Sequence, residues 1–117
     1  MSTLAAVRTC LLDLHKTLVD SSRADYERTR GRLTDSDFLQ VLVEDPAFAW
    51  LAPLTALIVR LDELEGDALG AEYVTEIRRL LKPDQAGRPF QRRYQTILQS
   101  SPDALVAHGA VMRALQP

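Results

Sequence analysis

Two prolines set the terms for the middle of this chain. They stand in the stretch Asp45-Pro46-Ala47-Phe48-Ala49-Trp50-Leu51-Ala52-Pro53-Leu54, inside an otherwise helical pattern. Asp45 can cap a helix start, and Pro46 suits the first helical position, where its missing N–H costs nothing. Pro53 cannot donate to a helix already running and disfavours helical geometry at Ala52, so a short turn should end near Leu51 and a new helix begin at Pro53. The chain therefore bends here. The bend gathers Phe48, Trp50, Leu51 and Leu54, which reads as a core cluster in preference to a ligand-gripping aromatic site, and Trp50 is expected to be buried.

On either side of this elbow the apolar residues recur at helical spacing. From about Thr3 to Arg30, Leu4, Val7, Leu11, Leu14 and Leu18 alternate at three and four residues, with Leu12, Val19 and Tyr26 beside that stripe. Gly31 is the stop signal. A helix of that extent would be about 42 Å long, longer than any other element can cover alone, and because its second half, Ser21 to Arg32, is polar and charged, its end is expected to project or to meet another chain. Thr34 to Asp37 supplies caps and first-turn acids for a second helix carrying Phe38, Leu39, Leu42 and Val43. Leu54, Leu57, Ile58, Leu61 and Leu64 mark a third, ended by Gly66. Tyr73, Val74, Ile77, Leu80 and Leu81 mark a fourth. The stretch from Lys82 to Pro89 is the loop candidate, Phe90, Tyr94, Ile97 and Leu98 follow in a fifth helix, and Ser101-Pro102-Asp103 caps a sixth with Leu105, His108, Val111, Met112 and Leu115 inward. No segment alternates with period two. The fold class predicted is all-α, an irregular five- to six-helix bundle with a long N-terminal helix and a proline-bounded elbow, and 117 residues suit a single domain.

Chemistry is sparse. Two histidines and one cysteine cannot build a four-ligand Cys/His zinc site, and neither His15 nor His108 follows a glutamate by three residues, as a di-iron carboxylate bundle requires. His108 should point inward and be hydrogen-bonded; His15 sits in the broad apolar side of the first helix, and both read as core or boundary residues. Cys10, among apolar neighbours, reads as a buried thiol acting as a small hydrophobe. The five glycines form no phosphate-binding loop. No serine sits in a nucleophile elbow. No cofactor and no catalytic or metal-ligating residue is assigned, and the reading leans away from an enzyme.

Charge is unevenly spread. Between Asp35 and Glu76 ten acidic residues face Arg60 alone, about −9. The sign then reverses, with Arg78, Arg79, Lys82, Arg88, Arg92 and Arg93 against Asp84, about +5. The expectation is that the basic segment pairs along the acidic helices or forms a solvated face. The competing reading is an anion patch at Arg78, Arg79, Arg92 and Arg93. A net charge of −2 argues against a dedicated nucleic-acid binder.

The order Leu14-His15-Lys16-x-Leu18, Tyr26-Glu27, then Asp45-Pro46-x-Phe48-Ala49-Trp50-Leu51-x-Pro53-Leu54-x-x-Leu57-Ile58-Val59-x-Leu61-Asp62-Glu63 resembles small bacterial all-helical proteins of unknown function. It covers roughly the first half of the chain, and Phe-Ala-Trp-Leu-x-Pro-Leu is its specific part. The resemblance implies helical architecture and a cytoplasmic location, and it transfers no site.

Two function classes follow. The preferred one is a non-catalytic interaction protein that forms a homodimer or takes another protein partner, with Leu12, Val19 and Tyr26 at the seam between first helices. The alternative is a helical bundle binding a metal or small molecule in a pocket near Trp50 and His15. No apolar run is long enough to cross a bilayer, and the start, Met1 to Val7, lacks the basic region of a secretory signal, so no membrane association and a cytoplasmic location are expected.

Overall fold

The computed structural model describes residues 3–116. It is all-α, with six α-helices and one 3-10 segment among those residues: α1 (Leu4–Arg30), α2 (Asp35–Glu44), the 3-10 elbow (Pro46–Leu51), α3 (Ala52–Asp62), α4 (Ala71–Leu80), α5 (Pro89–Ser100) and α6 (Pro102–Ala114). The sole extended pairing there is an isolated bridge between Thr3 and Ala68.

The start and stop of α1 follow from its end residues. Thr3 accepts a hydrogen bond from the Ala6 N–H at 3.2 Å, and Gly31 closes the helix at φ +89°, a conformation that costs a side-chain-bearing residue dearly. Leu4, Val7, Leu11, Leu14 and Leu18 are buried as the spacing requires, and Ser22, one turn beyond Leu18, continues the same buried line. At 27 residues α1 spans about 40 Å, which accounts for the longest dimension of the molecule, 44 Å.

The remaining elements lie along α1, and this changes the expectation for its second half. Arg8 pairs with Asp62; about two turns on along α1 and two turns back along α3, His15 meets Thr55; further on, Tyr26 meets Asp45. The segment from the elbow to the end of α3 thus runs antiparallel to α1 over most of its length, and α6 packs closely against α1 as well. Apart from its exposed last turn, Arg28 to Arg30, the polar half of α1 does not project. It is covered by α2 and the elbow, because Arg23 lies over the Phe38 ring at 4.5 Å and Tyr26 packs on Phe48 with ring centroids 5.6 Å apart.

The elbow forms as its residues dictate. Asp45 Oδ1 accepts from the Ala47 N–H at 2.9 Å, Pro46 occupies the first turn, and the chain axis swings by 73° between α2 and the segment that follows. Two runs of aromatic rings leave it. Phe48 contacts Tyr26 and Phe38, while Trp50 contacts Phe90, which stacks on Tyr94, which contacts His108. Phe48 and Leu51 are buried, but Trp50 is only half-buried, because its ring lies on the outer side of Phe90 with Arg93 above it.

Four further inward assignments need correction. Of the second helix's apolar residues only Phe38 is buried; Leu39 is 63% and Val43 78% exposed. On α6 the inward positions are Ala104, Val111 and Leu115, and Leu105 faces out at 56%. Cys10 is half-buried at the edge of the core.

Candidate functional site

Three surfaces carry the polar chemistry of the molecule: the cleft beside the elbow, the outer face of α2, and the segment from Arg78 to Arg93.

The cleft lies where α1, the elbow and α5 meet, with a volume of about 200 Å³. Phe48 and Ala47 form its apolar side; Ser22, Asp25, Arg30 and Arg93 supply the polar groups. Ser22 is 4% exposed and its Oγ has no hydrogen-bond partner, an arrangement that costs stability in a folded chain. Asp25 is held by Arg28 at 2.7 Å and more loosely by Arg93 at 3.5 Å. Arg30 directs Nη1 to the Tyr26 hydroxyl at 3.2 Å and to Asp45 Oδ2 at 3.3 Å. Asp45 is held below the usual carboxylate range by the Ala47 N–H first, then by the Tyr26 hydroxyl and the Arg30 charge.

On α2, Leu39 and Val43 are one turn apart and share a face. On another flank of the helix runs an open groove of about 490 Å³ lined by Asp37, Gln40, Val41, Glu44, Asp45 and Pro46. Neither Asp37 nor Glu44 makes an ion pair among the described residues.

The basic segment does not lie along the acidic helices. Among the described residues Arg93 alone of its cations makes an ion pair, with Asp25 of α1. Arg78 donates to the Leu115 carbonyl, Arg79 lies close enough to Glu76 to help lower its pKa behind the dominant Arg60 pair, and Arg92 is exposed. The four arginines of the expected anion patch also divide by element, Arg78 and Arg79 on α4 and Arg92 and Arg93 on α5.

The other residues singled out from the sequence fall as follows. Tyr26 is committed within the chain, to Phe48 and Asp45, and Val19 packs half-buried against the core, which leaves Leu12, at 47% exposure, as the open member of the expected seam. His15 and Trp50 belong to separate surroundings. The Thr55 hydroxyl donates its hydrogen to the Leu51 carbonyl, so it can only accept from His15 Nε2, 3.0 Å away. Burial lowers the pKa of His15. Trp50 rests on Phe90, and neither it nor His15 lines the two clefts above. Among the described residues no group of three or more His, Cys, Asp or Glu side chains is placed to hold a metal ion, and no single helix is long and apolar enough to cross a membrane.

The elbow cleft was missed from the sequence because its groups come from distant positions. One local signal existed: Ser22 prolongs the apolar stripe of α1 where a hydrophobic residue is the ordinary occupant.

No family model, curated protein or solved structure matches the chain.

Proposed function

We propose that this chain is a non-catalytic helical interaction protein that self-associates, α2 of one copy packing against the basic segment 78–93 of a second and the contact being repeated about a two-fold axis. The observation that carries this reading is the solvent side of α2, where Leu39 and Val43 stand exposed on one flank and Asp37 and Glu44 carry unpaired charge on another. A ten-residue helix held to the core through Phe38 presents that ridge to a partner, as contiguous exposed apolar groups rimmed by polar ones do elsewhere. A second copy supplies the complementary charge in Arg78, Arg79, Lys82, Arg88 and Arg92, which make no ion pair among the described residues. Reciprocal use of two patches gives a closed dimer. A cytoplasmic location, expected from the sequence, belongs to the same proposal.

Analytical ultracentrifugation tests it. The expected result is a concentration-dependent dimer that weakens as salt is raised, since charges on an exposed rim are screened within about 10 Å at 0.1 M salt. The double variant Leu39→Glu, Val43→Glu should be a folded monomer. Combining Asp37→Lys, Glu44→Lys with Arg78→Glu, Arg92→Glu in one chain should restore association lost in each pair alone. A wild-type monomer at high micromolar concentration, or an unchanged mass in the folded Leu39→Glu, Val43→Glu protein, overturns the proposal.

A further inference from the structure

We infer that the cleft between α1, the elbow and α5 is a binding site for a small monocarboxylate with a short apolar tail, its carboxylate taken by Arg30 and Arg93 and its tail lying against Ala47 and Tyr26.

The charge count sets the sign of the ligand. Three arginines, Arg28, Arg30 and Arg93, meet two carboxylates, Asp25 and Asp45, with Arg28 on Asp25 at 2.7 Å and Arg30 on Asp45 at 3.3 Å. Arg93 contacts Asp25 at 3.5 Å, a distance at which an ion pair is weak, and its guanidinium otherwise lies over the Trp50 ring at 5.9 Å. Arg30 uses Nη1 for Tyr26 and Asp45; its Nε and Nη2 make no hydrogen bond among the described residues. A guanidinium offers five donors in a planar fork matched to a carboxylate. The cleft thus holds one uncompensated positive charge and several free donors. A single negative charge fits it, whereas a phosphate dianion would crowd Asp25 and Asp45.

The remaining groups set the size and shape. A volume of about 200 Å³ has room for about seven water-sized groups, which suits a small metabolite. Ala47 and Tyr26 offer it an apolar wall, the Phe48 ring itself being 3% exposed. Ser22 gives the polar side a buried hydroxyl without a partner, the kind of group a ligand's oxygen satisfies. The backbones of α1 at Ser22, of the elbow and of α5 are held by core packing, and the Arg30 and Arg93 side chains, 59% and 44% exposed, reach the cleft from its solvent side.

Trp50, the only tryptophan, lies under Arg93 and reports on the site. The experiment titrates the full chain with sodium valerate, sodium acetate, sodium phosphate and sodium chloride at matched ionic strength, following Trp50 emission and the backbone amide resonances of Ser22, Ala47 and Phe48. Valerate should give a saturable change in both, at least a few-fold tighter than acetate, with chloride giving none. Arg93→Gln should weaken valerate at least tenfold, and Arg113→Gln, on α6, should leave it unchanged, with both variants checked for an unaltered melting temperature. The same titration in the Leu39→Glu, Val43→Glu protein should match wild type, which separates this site from self-association. A linear response equal to chloride, an unchanged midpoint in Arg93→Gln, or phosphate binding tighter than valerate overturns the inference.

Discussion

The hydroxyl of Tyr94 lies 2.6 Å from Nδ1 of His108, inside the contact between α5 and α6. Burial raises the pKa of Tyr94 and lowers that of His108, so both are neutral around pH 7. We assign the phenol as donor and Nδ1 as acceptor, which leaves the imidazole proton on Nε2. His15, on the other side of α1, is shifted down by burial too.

These directions fix how stability depends on pH. The unfolded histidines take up a proton near pH 6.5, before the folded ones do. Stability is therefore complete above that value and is lost as pH falls from it through the lower folded pKa values. Tyr94 works the other way: its contribution is present below about pH 10 and is lost as pH rises through its higher folded value. A plot of melting temperature against pH should show both edges. His15→Gln with His108→Gln should flatten the acid edge above pH 5, and Tyr94→Phe the alkaline one. Tyr94→Phe should also cost about 1–2 kcal/mol at pH 7 by leaving Nδ1 unpartnered.

Phe48, and not Trp50, is the more expensive ring to remove. Phe48 is 3% exposed and contacts two other rings, so Phe48→Ala should cost about 3–5 kcal/mol in chemical denaturation. Trp50→Ala should cost measurably less, and Trp50 emission should be quenched by acrylamide to an intermediate degree.

The outer face of α2 should be nearly silent in folding. Leu39→Lys or Val43→Lys should change the unfolding free energy of the monomer by no more than about 0.5 kcal/mol. Phe38→Ala, one residue away and buried against Phe48, should cost about 3 kcal/mol. Equal effects at these positions would contradict the packing of α2.

Asp45 joins three elements through one side chain, since it caps the elbow and receives hydrogen bonds from Tyr26 and Arg30. Asp45→Ala should lower the melting temperature clearly. Asp45→Asn, which keeps an acceptor for the Ala47 N–H but not the charge, should recover part of the loss. Because the Asp45 pKa is lowered on folding, its contribution is present above the ordinary aspartate range and fades as pH falls through it. Scanning calorimetry of the variants between pH 7 and pH 3 checks both points.

The sequence made legible what is decided locally. Thr3, Gly31, Asp45, Pro46 and Ser101 each act on backbone groups within a few residues, and their helix ends stand within a residue or two of where the pattern put them. The stripe of α1 was equally readable, because five leucine and valine positions over four turns leave one possible inward face. Ten-residue α2 gave no such answer. Phe38, Leu39, Leu42 and Val43 cover much of its circumference, and only the position of Phe48 decides that Phe38 turns in. Leu105 misled for the same reason: small Ala104 fits the close contact that α6 makes with its neighbours, and the larger residue is left outside. The cleft at Ser22 depends on Arg30 and Arg93 arriving together from α1 and α5, which no periodicity within one segment encodes.

The antiparallel run of α3 and the elbow along α1 also has a kinetic meaning. Its contacts close loops of steadily increasing length away from the elbow, from 19 residues between Tyr26 and Asp45 to 40 between His15 and Thr55. The entropy of closing a chain segment rises with its length, but only slowly once a shorter loop inside it has formed. The two segments therefore assemble as a zipper, seeded where Tyr26, Asp45 and Phe48 meet and finishing where the Leu4 N–H reaches the Asp67 carbonyl. Substitutions at the seed should slow folding, whereas those near Leu4 should leave the folding rate alone and hasten unfolding.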